Sequence, residues 1–360
     1  MKKFLLFVLS LALIFSLTAC GSRSETEPAD DEEPIEDNTE IDDEPVPEDP
    51  EENYDIINPL TGEALEEDVS YKRPYAFMLN NLKKALPQCG VGKADIIYEI
   101  VAEGGISRML AIFQDLTDVG TIGSIRSARP YYIDIALAYD PIYIHAGGSE
   151  QAYSDLSSKG VLNFDGVNGR RGTQIFYRDA QRRASVGYEH SMFTTSELIE
   201  QYIYPMDIRH NHEDGYQFKQ TYSSEPMPDG KDAEHITAHF SSSNTTEFKY
   251  DADKKAYLVY DYTDAYVDGN SGEQVAAKNV LCLFTDISRI SGDTAGRMKV
   301  RTTGTGSGYF ACEGKIVPIK WSRDGSYSQF VYTLEDGTPL SLGRGMTYIC
   351  VLSSASDVEY

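Results

Sequence analysis

Six side chains ahead of residue 200 have the types and spacing for chemistry: Arg108, Arg126, Arg129, His145, Arg178 and His190. A guanidinium forks onto carboxylate or phosphate oxygens through paired N–H groups, and Arg126 and Arg129 stand three residues apart. Ser127 and Ser149 each occupy a point where extended chain gives way to a helical pattern, so each is expected to be an N-cap. Helix N-termini expose unpaired N–H groups and attract anions. Gly147 and Gly148 would let the backbone approach a ligand closely. The expectation is an anion-binding cleft lined by Arg108, Arg126, Ser127, Arg129, His145, Gly147, Gly148, Ser149, Arg178 and His190, with the helix starts at one edge of a sheet. The competing expectation is a structural network in which the arginines pair with Asp95, Glu99, Glu103 and Asp179.

Hydrolysis is the sharper alternative. Ser149, His145, His190 and Asp179 supply the residue types of a serine triad. However, Gly147-Gly148-Ser149-Glu150-Gln151 lacks the last glycine of a nucleophile elbow, so Ser149 is better explained as a helix cap. Glu99 and Glu103 match paired catalytic carboxylates by type alone. His210-Asn211-His212-Glu213-Asp214 fits no zinc spacing, and no Cys-x-x-Cys occurs, so neither metal nor cofactor is expected. Whether the chain is an enzyme stays open, with binding preferred over hydrolysis.

The elements that must carry these residues alternate. Ala76–Asn80 has the pattern of a buried strand, and 95–102 and 106–114 are β-rich runs joined by Glu103-Gly104-Gly105 as a hairpin. A helix is expected from Ser127 to about Ala138, a strand over 141–145, a helix after Ser149, a strand over 174–178 and a helix capped by Thr195 or Ser196. Residues 221–233, rich in Ser, Pro, Asp and Gly, are expected to connect this α/β domain (56–220) to a smaller, mainly β domain (234–356). Gly304-Thr305-Gly306-Ser307-Gly308 is expected to be a flexible β turn. Cys89, Cys282, Cys312 and Cys350 are too sparse for a disulfide scaffold, and free thiols are expected, with Cys282–Cys312 or Cys312–Cys350 as the possible bonds.

The 360 residues are 41% hydrophobic and 25% charged, ordinary for a folded chain, and the formal charge of −25 argues against nucleic acid as a partner. Between Ser24 and Asp55 lie 17 acidic residues and no basic one. Such a segment, with its prolines, cannot bury enough apolar surface to fold, so 20–55 is expected to be an extended tether. Before it, Lys2 and Lys3 precede the apolar run Phe4–Leu17, and Leu17-Thr18-Ala19 runs directly into Cys20. Residues 1–19 therefore have the form of a bacterial lipoprotein signal. That resemblance implies a diacylated Cys20, anchoring the protein to the outer face of the cytoplasmic membrane.

Longer motifs carry a family resemblance. They are Asn58-Pro59-Leu60-Thr61-Gly62, Arg73-Pro74-Tyr75-Ala76-Phe77-Met78-Leu79-Asn80-Asn81, Pro87-Gln88-Cys89-Gly90 and Ala94-Asp95-Ile96-Ile97-Tyr98-Glu99. Glu103-Gly104-Gly105-Ile106-Ser107-Arg108, Arg126-Ser127-Ala128-Arg129-Pro130 and His145-Ala146-Gly147-Gly148-Ser149 complete them. With these the chain resembles the YerB-like lipoproteins of the domain-of-unknown-function 3048 family over about 58–355. The resemblance implies a YerB-like mixed α/β fold and an envelope lipoprotein with no assigned reaction. One departure is Glu189-His190-Ser191-Met192-Phe193-Thr194, where the family resembles Pro-His-Asn-Leu-Tyr-Thr. The expected function is a membrane-anchored, extracytoplasmic binding protein for an anionic cell-wall polymer or an envelope protein. The alternative is a wall hydrolase using Ser149 and His145 or paired carboxylates.

Overall fold

The computed structural model of the chain describes residues 56–227 and 229–360. Leader and tether, Cys20 included, lie outside the described residues. In the first region β1 (Tyr75–Asn80), β2 (Ile96–Val101) and β3 (Ser107–Phe113) form the centre of a sheet, and β4 is Thr121–Gly123. Next come α1 (Pro130–Ala136), β5 (Ile142–His145), α2 (Glu150–Ser158) and β6 (Asn163–Asp165). The region ends with β7 (Tyr177–Arg178), α3 (Ala180–Ser185), β8 (Met192–Thr195) and α4 (Ser196–Tyr202).

The remainder is almost all strand. β9 (Thr221–Ser223) and β10 (Lys231–Asp232) are followed by β11 (His235–Ser241), β12 (Asn244–Asp251), β13 (Ala256–Asp261), β14 (Asp264–Ala265) and β15 (Ala276–Ala277). β16 (Asn279–Phe284), β17 (Ile287–Arg289), β18 (Met298–Val300), β19 (Gly304–Cys312) and β20 (Lys315–Arg323) come next. β21 (Val331–Leu334), β22 (Ser341–Gly343), β23 (Thr347–Leu352) and β24 (Val358–Glu359) close the chain. The mixed α/β first region and mostly β second region are thus present.

One sheet runs through both regions. Its order is β10-β20-β19-β16-β23-β2-β3-β1-β5-β6, with β21 on β20. The join is the parallel pair β2–β23, where Tyr98 stands opposite Ile349 and Glu99 opposite Cys350. Both faces of the sheet are covered, which explains why β1, β2 and β3 are buried at every position. Phe77, Leu79, Ile97 and Met109 enter one core with α4 and the small sheet β14-β13-β12-β11-β24. Their alternates Ala76, Met78, Tyr98 and Leu110 enter a second core with α1 and α2, as a period of two requires. Arg323 of β20, buried, donates to Asp134 of α1 at 2.8 Å and ties this helix to the second region.

Several local expectations are corrected. Ser127 caps nothing: α1 starts at Pro130 with Arg129 as its N-cap residue, and the Ser127 hydroxyl donates to the Ala146 carbonyl instead. The strand expected over 174–178 is a 3₁₀ turn (Thr173–Ile175) followed by two strand residues. The segment 221–233 contributes β9, which pairs in parallel with β22, and β10, an edge strand of the long sheet. The glycine run 304–308 is strand, paired on one side with β20 and from Gly308 onward also with β16. Its glycines serve close packing: a Cβ on Gly306 would lie 2.5 Å from the Trp321 indole, and one on Gly308 2.4 Å from the Cys282 carbonyl. The four described cysteines are free, and Cys282 stands opposite Cys350 across the pair β16–β23.

Candidate anion-binding site

The segment bearing the arginines is pinned between the C-terminal ends of β1 and β5. Ile125 bridges to Leu79, Arg126 N–H donates to the Met78 carbonyl at 2.8 Å, and the Arg126 carbonyl accepts from Ala146 N–H. Ala128 N–H donates to the Gly147 carbonyl at 2.9 Å. Gly147 has φ of +81°, a conformation that suits glycine, and its N–H donates to Asp165. The Arg126–Arg129 and His145–Ser149 segments are therefore neighbours, but their side chains take separate courses.

His145 is fully buried. Its Nδ1 lies 2.8 Å from the Gly147 carbonyl and its Nε2 lies 3.1 Å from Asn163 Oδ1. Asp165 accepts from Gly147 N–H, Val167 N–H and the Tyr153 hydroxyl. Burial opposes its charge, yet neighbouring His145 and these donors hold the carboxyl below its usual range. The Ser149 hydroxyl accepts from Ala152 N–H at 3.2 Å, as an N-cap does. With both imidazole nitrogens occupied, His145 has none left to activate Ser149. Glu99 is enclosed in the core and Glu103 is bound to two arginines, so these carboxylates do not flank a cleft.

Glu103 is the hub of a compact ion cluster. Arg108 Nη2 reaches its Oε2 at 3.0 Å, and Arg129 Nε reaches Oε1. Burial opposes the charge of Glu103, but the two guanidiniums prevail and keep it below the usual range. Arg108, buried and repelled by Arg129, falls to about 10. Its Nε has no hydrogen-bond partner. Of the other acids considered, Asp179 caps α3 by accepting from Arg182 N–H, and Asp95 accepts from Asn58 Nδ2 at 2.8 Å.

Arg126 points elsewhere, to Glu189, donating to its carbonyl at 2.8 Å and its carboxylate at 3.2 Å. This places Arg126 beside His190, whose Nδ1 lies 2.8 Å from Asn80 Nδ2. Burial, and then the charges of Arg126, Lys84 and Arg182 against that of Glu189, hold His190 below its ordinary value. Arg178 stacks 3.5 Å from the centroid of the exposed Tyr188 ring and donates to the Tyr188 carbonyl at 2.6 Å. Arg183 approaches the same ring at 5.3 Å, and Arg182 donates to the carbonyls of Ala85 and Pro87. His190 ends a 3₁₀ turn leading into β8, not a helix.

The expected set thus divides. Arg126 and Arg178 gather around the buried His190 with Lys84, Arg182, Arg183 and Tyr188, none of which was anticipated. Arg108 and Arg129 gather on Glu103, while His145, Gly147, Gly148 and Ser149 brace the turn into α2. The doublets Lys83-Lys84 and Arg182-Arg183 were the available signal, but only the fold brings them together. Among the described residues no group of three or more His, Cys, Asp or Glu side chains could hold a metal ion, and no helix is long and apolar enough to cross a membrane.

Two family models match the chain: the N-terminal domain of "Protein of unknown function (DUF3048)" over residues 60–209 and its C-terminal domain over 236–349. The chain is 28% identical over 302 residues to the "Putative lipoprotein YerB" of Bacillus subtilis (strain 168), covering 82% of this chain and 85% of that protein. It superposes on the crystal structure of the YerB protein from Bacillus subtilis with a TM-score of 0.70 at 25% identity, over 84% of this chain and 98% of that one.

Proposed function

The chain belongs to the DUF3048 family, with both of its domains, and from that premise we propose that it is a membrane-anchored, non-catalytic envelope lipoprotein that binds an anionic cell-wall polymer. The relative named a putative lipoprotein supports the anchor, and acylation of Cys20 would provide it. The observation carrying the binding reading is the gathering of cations at the Tyr188–His190 turn, where Arg126 bonds Glu189 and where Lys84, Arg126 and Arg182 lie close enough to act on buried His190. Cations concentrated on one face of an otherwise acidic protein attract a polyanion over distances set by screening. Arg178 and Arg183 extend that face around Tyr188. Arg108 and Arg129 contribute from the neighbouring cluster, where two guanidiniums share one carboxylate.

Wall hydrolysis is less well supported, because the Ser149 hydroxyl serves α2 and His145 is engaged at both nitrogens. Incubating the full chain with peptidoglycan and analysing the products by mass spectrometry separates the readings. Intact polymer retained by the protein is expected. Cleavage products that vanish in Ser149→Ala or His145→Gln would overturn the binding reading in favour of the hydrolase.

A further inference from the structure

A second polar centre lies outside the anion face, where the small sheet packs on the long one. Glu99 of β2 is wholly buried and takes four donors. Its Oε1 accepts from Ser107 Oγ and from Asn81 Nδ2 at 2.7 Å, and its Oε2 from Thr246 Oγ1 at 2.8 Å and Tyr348 Oη at 2.7 Å. Four donors saturate the lone-pair sites of an ionised carboxylate. Asp261 of β13 stands opposite Thr246, so it shares that residue's face of the small sheet. It is 2% exposed, and neither carboxylate oxygen has a fully formed hydrogen bond, although the Tyr262 N–H and the Asn81 side chain approach it.

The unpartnered atoms here are all acceptors. Besides the two Asp261 oxygens they are Asn81 Oδ1 and Asn244 Oδ1, on side chains each 1% exposed. Asn81 Nδ2 spends both of its hydrogens, on Glu99 and on Ser107 Oγ, whereas Asn244 Nδ2 spends one, on Ser107 Oγ. The cluster is short of donors, because four orphan acceptor oxygens outnumber the one amide hydrogen left. A protonated Asp261 supplies another, turning one of those acceptors into a hydroxyl donor. Two adjacent buried carboxylates without a cation between them cannot both stay ionised.

We propose that Glu99 and Asp261 form a buried proton-holding site, with the charge on Glu99 and the proton on Asp261, and that loss of this proton is relayed through Asn81 and Asn80 to His190. The relay is covalent at its centre. Asn81 places its side chain in the acid cluster, while the preceding Asn80 places its own on His190. Tyr262, next to Asp261, closes the loop by donating to the Asn81 carbonyl at 2.9 Å. Deprotonation hands the proton to a buffer base and leaves two facing anions, which must part or draw in water, and Asn81 lies between them.

The surrounding charges favour this division. Burial, then the charge of Glu99, push Asp261 up to about 9 against the Tyr262 N–H, the Asn81 side chain and Lys83, and burial also raises Glu99 against its four donors. Lys83, the cation acting on Asp261, is 60% exposed and pairs with Asp264 of β14 at 3.2 Å. From β23 the cluster meets Tyr348 and Cys350, and after β13 it meets Tyr262 and Tyr266. Burial raises Tyr348, Cys350, Tyr262 and Tyr266 above their usual ranges, so they stay neutral where Asp261 titrates. Asp268 also acts on Tyr266 with its charge.

The test is a pH titration of the full chain carrying ¹³C-labelled aspartate carboxyls and ¹⁵N-labelled histidine rings, beside Asp261→Asn. One aspartate signal, absent from the variant, should titrate near pH 9 in the wild type, and the His190 ring signals should step with it. In Asp261→Asn that step should be missing. An Asp261 signal that titrates in the ordinary range overturns the proton site. A His190 step that persists in the variant overturns the relay. If the variant fails to fold, the wild-type signals decide: a carboxyl titrating near pH 9 together with a His190 step supports the proposal, and the lack of either contradicts it. None of these outcomes depends on polymer binding, so the proton site stands or falls separately from the proposed function.

Discussion

The Asn80 side-chain amide donates to His190 Nδ1 across 2.8 Å, and its own oxygen accepts from Leu82 N–H at 3.2 Å. The second bond orients the amide, so the nitrogen is the atom facing the imidazole and the His190 proton must sit on Nε2. A ring fixed in this way, among Lys84, Arg126 and Arg182, is a buried neutral imidazole beneath a cationic surface.

His190 should therefore titrate below its ordinary value of about 6.5. Because its folded value is depressed, the unfolded chain binds this proton first, and the residue costs stability as pH falls through that window. Histidine-ring NMR reads it directly. Adding a polyanion should move the value upward by neutralising the surrounding cations, whereas no movement at saturating polymer would show that the polymer does not bind over His190.

Glu103→Gln should destabilise the protein by about 3 kcal/mol, because it leaves the buried Arg108 without its carboxylate. Denaturant unfolding measures this. The folded-state value of Glu103 is depressed, so its stabilisation is present above its unfolded value and disappears as pH falls through the folded one. The deficit of the variant should accordingly shrink in acid. A loss below about 1 kcal/mol would show that the ion cluster behaves as an ordinary surface network.

Gly306→Ala should cost about 1–3 kcal/mol through overpacking, because the new methyl group meets the Trp321 indole. Trp321 is the single tryptophan of the chain, so its fluorescence reports the displacement without ambiguity. Unchanged emission and unchanged stability would contradict the packing described for β19.

That residue also shows where the sequence runs out. Apolar, β-rich runs marked β1, β2 and β3, because burial on both faces leaves that mark directly in the sequence. Gly304–Gly308 hid a strand because glycines chosen for close approach to an indole and a backbone carbonyl have the same composition as a turn. Ser149 was legible as a cap, since capping is local. Ser127 was not, because its hydroxyl is claimed by Ala146, which the β1–β5 crossover brings near. The arginines were visible as types, but their partners were not: Glu103 is local to Arg108, whereas Glu189 reaches Arg126 from 63 residues away. Lys84, Arg182 and Asn80 joined the site through tertiary contacts that no spacing rule encodes.

Cys20→Ser should abolish acylation and either release the protein from the membrane or leave its precursor uncleaved. Fractionation with radiolabelled palmitate reads both outcomes. Normal processing with undiminished label in that variant would end the lipoprotein reading.

Equilibrium binding of the full chain in detergent to poly(glycerol phosphate), across a salt series, tests the central claim most directly. Saturable binding that weakens steeply with ionic strength is predicted, with little affinity for an uncharged dextran. Arg126→Lys keeps the charge but loses the planar fork and should weaken binding by about 1–3 kcal/mol. Combined replacement of Arg126, Arg178 and Arg182 by alanine should abolish it while the fold persists by circular dichroism. Equal binding by wild type and the folded triple variant, or equal affinity for dextran and poly(glycerol phosphate), would contradict the account.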